Sequence, residues 1–188
     1  MGAIINSVVS AVRAKKQPIR YRTDIVPIFQ GGMLSDSDVR AKLNIYSETG
    51  GYGEDVPNLF IAEVELINAG NKDLPSFQMG MTLSEGDVAA HCIVITSDRH
   101  HKATTDTRIG PAGPGTEIDF TLVPFNRKDV YKFRLYLINR SQSTPGEIHL
   151  SSPAPVVFQK VTDVSLEVSM LGVALRKGFI ESLTKYLR

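Results

Sequence analysis

Tyr131-Lys132-Phe133-Arg134-Leu135-Tyr136-Leu137 places an apolar or aromatic residue at every odd position, with Lys132 and Arg134 between them. Successive side chains of a β-strand point to opposite faces, so this is a strand with one dry face and one wet face. A register slip of one residue would bury two cations, which pins the pairing.

The same kind of segment recurs on both sides of it. Ile19 to Phe29, Lys42 to Tyr46, Asn58 to Asn68, Phe77 to Leu83, Val88 to Thr96, Thr116 to Val123 and Glu147 to Leu150, like Tyr131 to Ile138 itself, are short and rich in β-branched or aromatic residues. Gly50-Gly51-Tyr52-Gly53, Asn68-Ala69-Gly70-Asn71 and Gly110-Pro111-Ala112-Gly113-Pro114-Gly115 separate them, supplying the bends and positive φ angles of turns. Asp163 to Met170 is a last strand candidate, alternating Val164, Leu166, Val168 and Met170 with Ser165, Glu167 and Ser169. Many short strands with such turns predict a mainly β chain, an antiparallel β-sandwich of immunoglobulin-like or jelly-roll-like type. A partly closed barrel would give the same pattern. There is no repeat at a fixed period, and the Gly-Pro run is a loop rather than a triple helix.

At both ends the period becomes helical. Ile4, Ile5, Val8, Val9 and Val12 share one face of residues 1–17, and Leu171, Leu175, Phe179, Leu183 and Leu187 stand four apart in residues 171–188. Short amphipathic helices are therefore expected at both termini, flanking a sandwich domain at 18–170. Gly172 and Gly178 each weaken the second helix by about 1 kcal/mol relative to Ala.

Length and composition narrow the class. A chain of 188 residues suits one core, and 42% hydrophobic with 22% charged residues is ordinary for a globular domain. The net charge of +1 hides an asymmetry: residues 1–22 carry +5 and residues 171–188 carry +3, leaving −7 between them. No apolar run is long enough to span a bilayer and no secretory leader is recognisable, so a cytoplasmic start is expected. The single cysteine, Cys92, has no partner for an internal disulfide, as is common in reducing compartments.

No catalytic set assembles from the residues. His91 adjoins Cys92, but neighbours in a strand face opposite ways and do not form a dyad. His100 and His101, with Asp98, Arg99 and Asp106, lack the spacing of a zinc site and read as a solvated loop. The pairs Glu63/Glu65 and Glu117/Asp119 each share one strand face, but Ala62, Val64, Leu66, Ile118 and Phe120 alternate with them, so a wet sheet face accounts for them. No glycine-rich loop leads into Lys-Ser or Lys-Thr, which argues against nucleotide hydrolysis. No enzyme, metal or cofactor is expected.

The termini carry the stronger signal. Arg13, Lys15, Lys16, Arg20 and Arg22 form a cationic run, with Tyr21 available to stack on a base, though the acidic body opposes nucleic acid. Met1-Gly2-Ala3-Ile4-Ile5-Asn6-Ser7 approaches an N-myristoylation pattern, with Asn6 where Ser or Thr is usual. An acyl group on Gly2 and the neighbouring basic run would together hold an anionic membrane. Without a lipid, the segment could cover a sheet edge or enter a partner.

Leu43-Asn44-Ile45-Tyr46, Val56-Pro57-Asn58-Leu59-Phe60-Ile61-Ala62-Glu63-Val64-Glu65-Leu66-Ile67-Asn68-Ala69-Gly70-Asn71 and Pro124-Phe125-Asn126-Arg127-Lys128-Asp129 together give residues 43–137 a further reading. This half of the chain resembles the immunoglobulin-like β-sandwich regions of uncharacterised bacterial proteins, often membrane-tethered. The resemblance implies a fold and transfers no site residues. The transmembrane helices of those proteins have no counterpart here, so tethering does not carry over.

The reading is a non-enzymatic module for interaction or self-assembly. Its candidate contacts are Ile5, Val8, Val9, Val12, Arg13, Lys15, Lys16, Phe179, Leu183 and Leu187, and its partner is a second copy, another protein or an anionic membrane surface. Two alternatives stand beside it: a coat or matrix-like structural protein of a virus or phage, then found in the virion, and a ligand-sensing domain using the loops Gly110 to Gly115 and Asp98 to Lys102.

Overall fold

The computed structural model describes residues 16–33, 40–41, 43–45, 54–96, 98–107, 109, 115–140 and 144–161. Both expected terminal helices, and the strand candidate Asp163 to Met170, lie outside them.

The described residues are mainly β. The strands are β1 (Gln17–Gln30), β2 (Gly32–Met33), β3 (Arg40–Ala41), β4 (Leu43–Ile45), β5 (Glu54–Val56), β6 (Asn58–Asn68), β7 (Phe77–Thr82), β8 (Asp87–Thr96), β9 (Lys102–Thr104), β10 (Glu117–Val123), β11 (Val130–Asn139), β12 (His149–Ser151) and β13 (Val156–Lys160). A five-stranded sheet runs β13-β1-β6-β11-β8 and a four-stranded sheet runs β12-β7-β10-β9. All their pairings are antiparallel except β1 with β13.

Period-2 alternation makes each long strand two-faced. In β6, Phe60, Ala62, Val64 and Leu66 are buried while Ile61, Glu63, Glu65 and Ile67 are half-exposed; in β11, Tyr131, Phe133, Leu135 and Leu137 are buried. These side chains share one core with Phe77, Met79 and Met81 of β7 and Ile118, Phe120 and Leu122 of β10, so the inner faces of the two sheets meet. Phe120 of one sheet lies 4.7 Å from Phe133 of the other, ring centre to ring centre, and Phe77 lies 6.5 Å from Phe158. Each such side chain contributes about 1.5–3 kcal/mol by leaving water.

Two irregularities in register interrupt the five-stranded sheet. Register shifts fall between Pro27 and Phe29 on β1 and between Tyr136 and Leu137 where β11 meets β8. Beyond them Leu59, Val88, Ala90 and Ile138 form a second, smaller buried cluster with Val56, against which Phe29, Leu43 and Tyr136 pack. The register of β6 with β11 runs unbroken to Leu59 and Ile138, so both stay on the outer face with Ile61 and Tyr136 and are buried there by this cluster. Leu43 and Val56, directly paired between β4 and β5, join that cluster, so this short ribbon packs against one end of the five-stranded sheet.

A buried amide network closes the opposite end. Asn68 Nδ2 donates to the carbonyls of Phe125 (2.8 Å) and Lys72 (3.0 Å), while its Oδ1 accepts from Gln17 Nε2 (3.0 Å) and from the Gly70 amide (3.1 Å). Gln17 also binds both backbone groups of Lys72. A methyl at Gly70 would collide with the Gln17 side chain, which is why the loop carries glycine there.

Candidate interaction surface

The outer face of the five-stranded sheet is assembled row by row. Arg22, Glu65, Lys132 and Ile95 are register partners in one row; Asp24, Glu63, Arg134 and Ile93 form the next; Val26, Ile61, Tyr136 and His91 form a third. In the centre the charges pair off: Lys132 Nζ lies 2.8 Å from Glu65 Oε2, Arg134 Nη2 lies 2.5 Å from Glu63 Oε1, and Arg22 Nε lies 3.0 Å from Asp24 Oδ2. Three cations meet three anions, so this patch presents little net field. The hydrogen bond and charge of Glu63 hold the Arg134 guanidinium above its ordinary pKa.

The margins are apolar. Among the described residues, the large hydrophobic side chains left exposed are Val26 (54%), Ile28, Ile93 (38%), Ile95 (41%), Val123 and Val157. Ile93 and Ile95 lie on β8, which ends the sheet on one side, and Val157 lies on β13, which ends it on the other. Ala89 of β8 exchanges both backbone hydrogen bonds with Gly115, and beyond it, from His91 to Thr96, no second strand pairs with this edge among the described residues.

The outer face of the four-stranded sheet is different. Gly80 is paired with both Asp119 and Ser151, and a Cβ there would come within 2.8 Å of Asp119 Oδ1 and 2.9 Å of Ser151 Oγ. The missing side chain forms the floor of a groove of about 380 Å3 lined by Gln78, Thr104, Asp106, Asp119, Thr121 and Ser151 among others. Among the described residues, hydroxyls, an amide and two carboxylates line it and no cation does, which suits a polyol or a cationic group. Its volume falls at the lower end of small-molecule sites.

Of the sequence-predicted contacts, Lys16 is exposed and immediately precedes β1. Gly2, Ile5, Val8, Val9, Val12, Arg13, Lys15, Phe179, Leu183 and Leu187 lie outside the described residues, as do residues 110–114 of the Gly-Pro loop.

His91 is exposed and Cys92 packs against the core, so the two point apart as strand alternation requires. Burial pushes the Cys92 thiol from 9.0 up to about 11, the opposite of what a nucleophile needs. Glu117 and Asp119 are exposed on their strand face, and Glu63 and Glu65 are cation-paired.

The solvated-loop reading of His100 and His101 needs correcting for His101. Its ring stands edge-on to Tyr131, with centres 5.6 Å apart, and its Nε2 is 2.8 Å from Asp129 Oδ2, an ion-pair distance though out of line for a hydrogen bond. The chain turn that brings β9 beside β10 carries this residue inward. No group of three or more His, Cys, Asp or Glu side chains able to hold a metal ion occurs among the described residues.

Sequence reasoning misses the apolar margins. Their signal is present in Ile93-Val94-Ile95 and Ile25-Val26, where both faces of the strand are apolar and one is left without an inner sheet to cover it. Compared with known families and proteins, the chain matches no family model and no curated protein. No helix among the described residues is long and apolar enough to cross a membrane.

Proposed function

We propose that this chain is a non-enzymatic β-sandwich module, immunoglobulin-like or jelly-roll-like in kind, that works by self-association or partner binding through its surfaces. The observation that supports this most is the β8 edge. Ile93 and Ile95 are exposed side by side, next to a charge patch that is already neutralised and so does not repel a second copy. Exposed apolar residues grouped at a sheet margin are the usual mark of a contact surface. The basic amphipathic termini serve as further contacts, to neighbouring subunits or to an anionic membrane.

Light scattering across a concentration series tests this reading. The full chain should show a mass above that of the monomer, and the double variant Ile93→Glu/Ile95→Lys should be monomeric. A full chain that stays monomeric at every concentration would refute self-association. Anionic liposomes added to the same samples should bind the full chain and not one beginning at Lys16.

The groove over Gly80 favours ligand sensing as a second reading. A polyol or amine that raises the melting temperature of the native chain and not of Gly80→Ala, whose methyl fills the groove floor, would support it.

A further inference from the structure

The wet faces of the two sheets differ in what their polar groups do. On the five-stranded sheet the charges pair off, whereas across the four-stranded sheet the side chains of Gln78, Thr104, Asp106, Asp119, Thr121 and Ser151 make no hydrogen bond or ion pair among the described residues. Register sets five of them in two rows around Gly80: Ser151, Gly80 and Asp119 in one, and Gln78, Thr121 and Thr104 in the next. Strand geometry puts the rows about 7 Å apart. Met79, Met81, Phe120 and Leu122 point the other way, into the core, so the floor of the groove is the sheet itself. Gly80 opens it: a Cβ there would stand 2.8 Å from Asp119 Oδ1 and 2.9 Å from Ser151 Oγ, so both oxygens overhang the space its side chain leaves. Hydrogen bonds fix the two walls. Thr107 Oγ1 accepts from the Asp119 amide (3.1 Å), holding the segment that carries Asp106 against β10. Ser152 Oγ donates to Gln78 O (2.6 Å) and accepts from the Ala154 amide (3.1 Å), which stands Pro153 at the rim on the β12 side.

We propose that this groove binds a neutral pyranoside through a vicinal diol, an inference that rests on the ligand-sensing reading of the same site. Each sugar hydroxyl both donates and accepts. The Asp119 carboxylate accepts, and the Ser151, Thr104 and Thr121 hydroxyls do both, so the two rows offer a full set of partners to adjacent hydroxyls. One hydroxyl of the diol occupies the space over Gly80, donating to Asp119 Oδ1 and accepting from Ser151 Oγ. Its neighbour reaches the row of Gln78 and Thr121, and Pro153 gives an apolar wall to the C–H face of the ring. A cation is the poorer fit. Most of the polar side chains lining the groove are uncharged, and Asp106 and Asp119 are open to solvent, where an ion pair gains little.

The test is an amide NMR titration of the isotopically labelled full chain with the methyl glycosides of glucose, galactose and mannose, which between them present cis and trans vicinal diols. At least one should saturably shift the amides of Gly80, Asp119, Thr121 and Ser151 and leave those of β8 in place, with an affinity that added salt does not change. Asp119→Ala should weaken binding about tenfold, and so should Gly80→Ala, whose methyl takes the place of the diol. The unliganded spectra of both variants show that the fold is kept, and Thr121→Val, which keeps the shape and loses one hydroxyl, should weaken binding several-fold without touching the floor. Butylammonium chloride is titrated in parallel. Groove shifts with butylammonium alone, abolished by salt, would overturn the saccharide and leave a ligand-sensing groove; no groove shift with any of these compounds would overturn both. Glycoside binding that Asp119→Ala and Thr121→Val leave at full strength would also overturn the assignment.

Discussion

Asn68 uses its whole side-chain amide at a point where strand, loop and turn converge, two donors to carbonyls and one acceptor shared by two donors. Removing it as Asn68→Ala leaves buried backbone groups short of partners and should cost about 1–3 kcal/mol in chemical denaturation. Asn68→Asp should cost more at neutral pH, because a carboxylate would then face the carbonyls of Phe125 and Lys72. In the sequence Asn68 reads as the end of a strand and the start of a turn, since its partners at Gln17 and Phe125 are remote along the chain and no local pattern announces them. Tyr131 is similar: fully buried, it donates its hydroxyl to Pro124 O at 2.7 Å. Burial, and then the Asp129 charge, push that phenol from 10.0 up to about 12, while burial takes Cys92 from 9.0 to about 11. Both folded values are raised, so both groups favour the fold while protonated. Their contribution is complete below pH 9 and is lost as pH rises through 11 to 12. Alkaline denaturation should therefore begin in that window, and Tyr131→Phe should blunt its upper part. Thiol reagents at pH 8 should label Cys92 only after unfolding.

Strands with strict alternation are legible in the sequence alone: β6 occupies the expected Asn58 to Asn68, and β11 extends the expected Tyr131 to Ile138 by one residue at each end. Alternation gives the face but not what covers it: Ile138 falls on the outer face of β11 with Tyr136 and is nevertheless buried, in the second cluster with Val56. Ile138→Ala should cost about 2–4 kcal/mol, whereas Ile93→Ala, at a half-exposed position, should cost well under 1 kcal/mol; urea denaturation distinguishes them. β13 has no counterpart among the expected strands. Its five residues come after a Ser- and Pro-rich stretch, and its partner β1 lies at the other end of the chain, so pairing is decided by Phe158 packing near Tyr21 and Phe77 rather than by any local signal. The charge ladder shows what the wet face tolerates. Lys132→Glu would set like charges opposite one another at Glu65, yet a pair this open to solvent should shift stability by less than about 1 kcal/mol, and less still in high salt.

For the whole molecule, two sheets sharing one core are held together without an internal disulfide, the chain having one cysteine. Sequence patterning points to the chain ends as contacts. The described residues add a sheet margin of Ile93 and Ile95 that composition does not reveal, because exposure depends on which strand becomes the edge. Whether this edge joins molecules is decided by amide hydrogen exchange measured at low and high protein concentration. Amides from His91 to Thr96 should gain protection as concentration rises while the core amides of β6 do not change. Uniform exchange at β8 across concentrations, or protection gained elsewhere and not there, would contradict a joining role for β8.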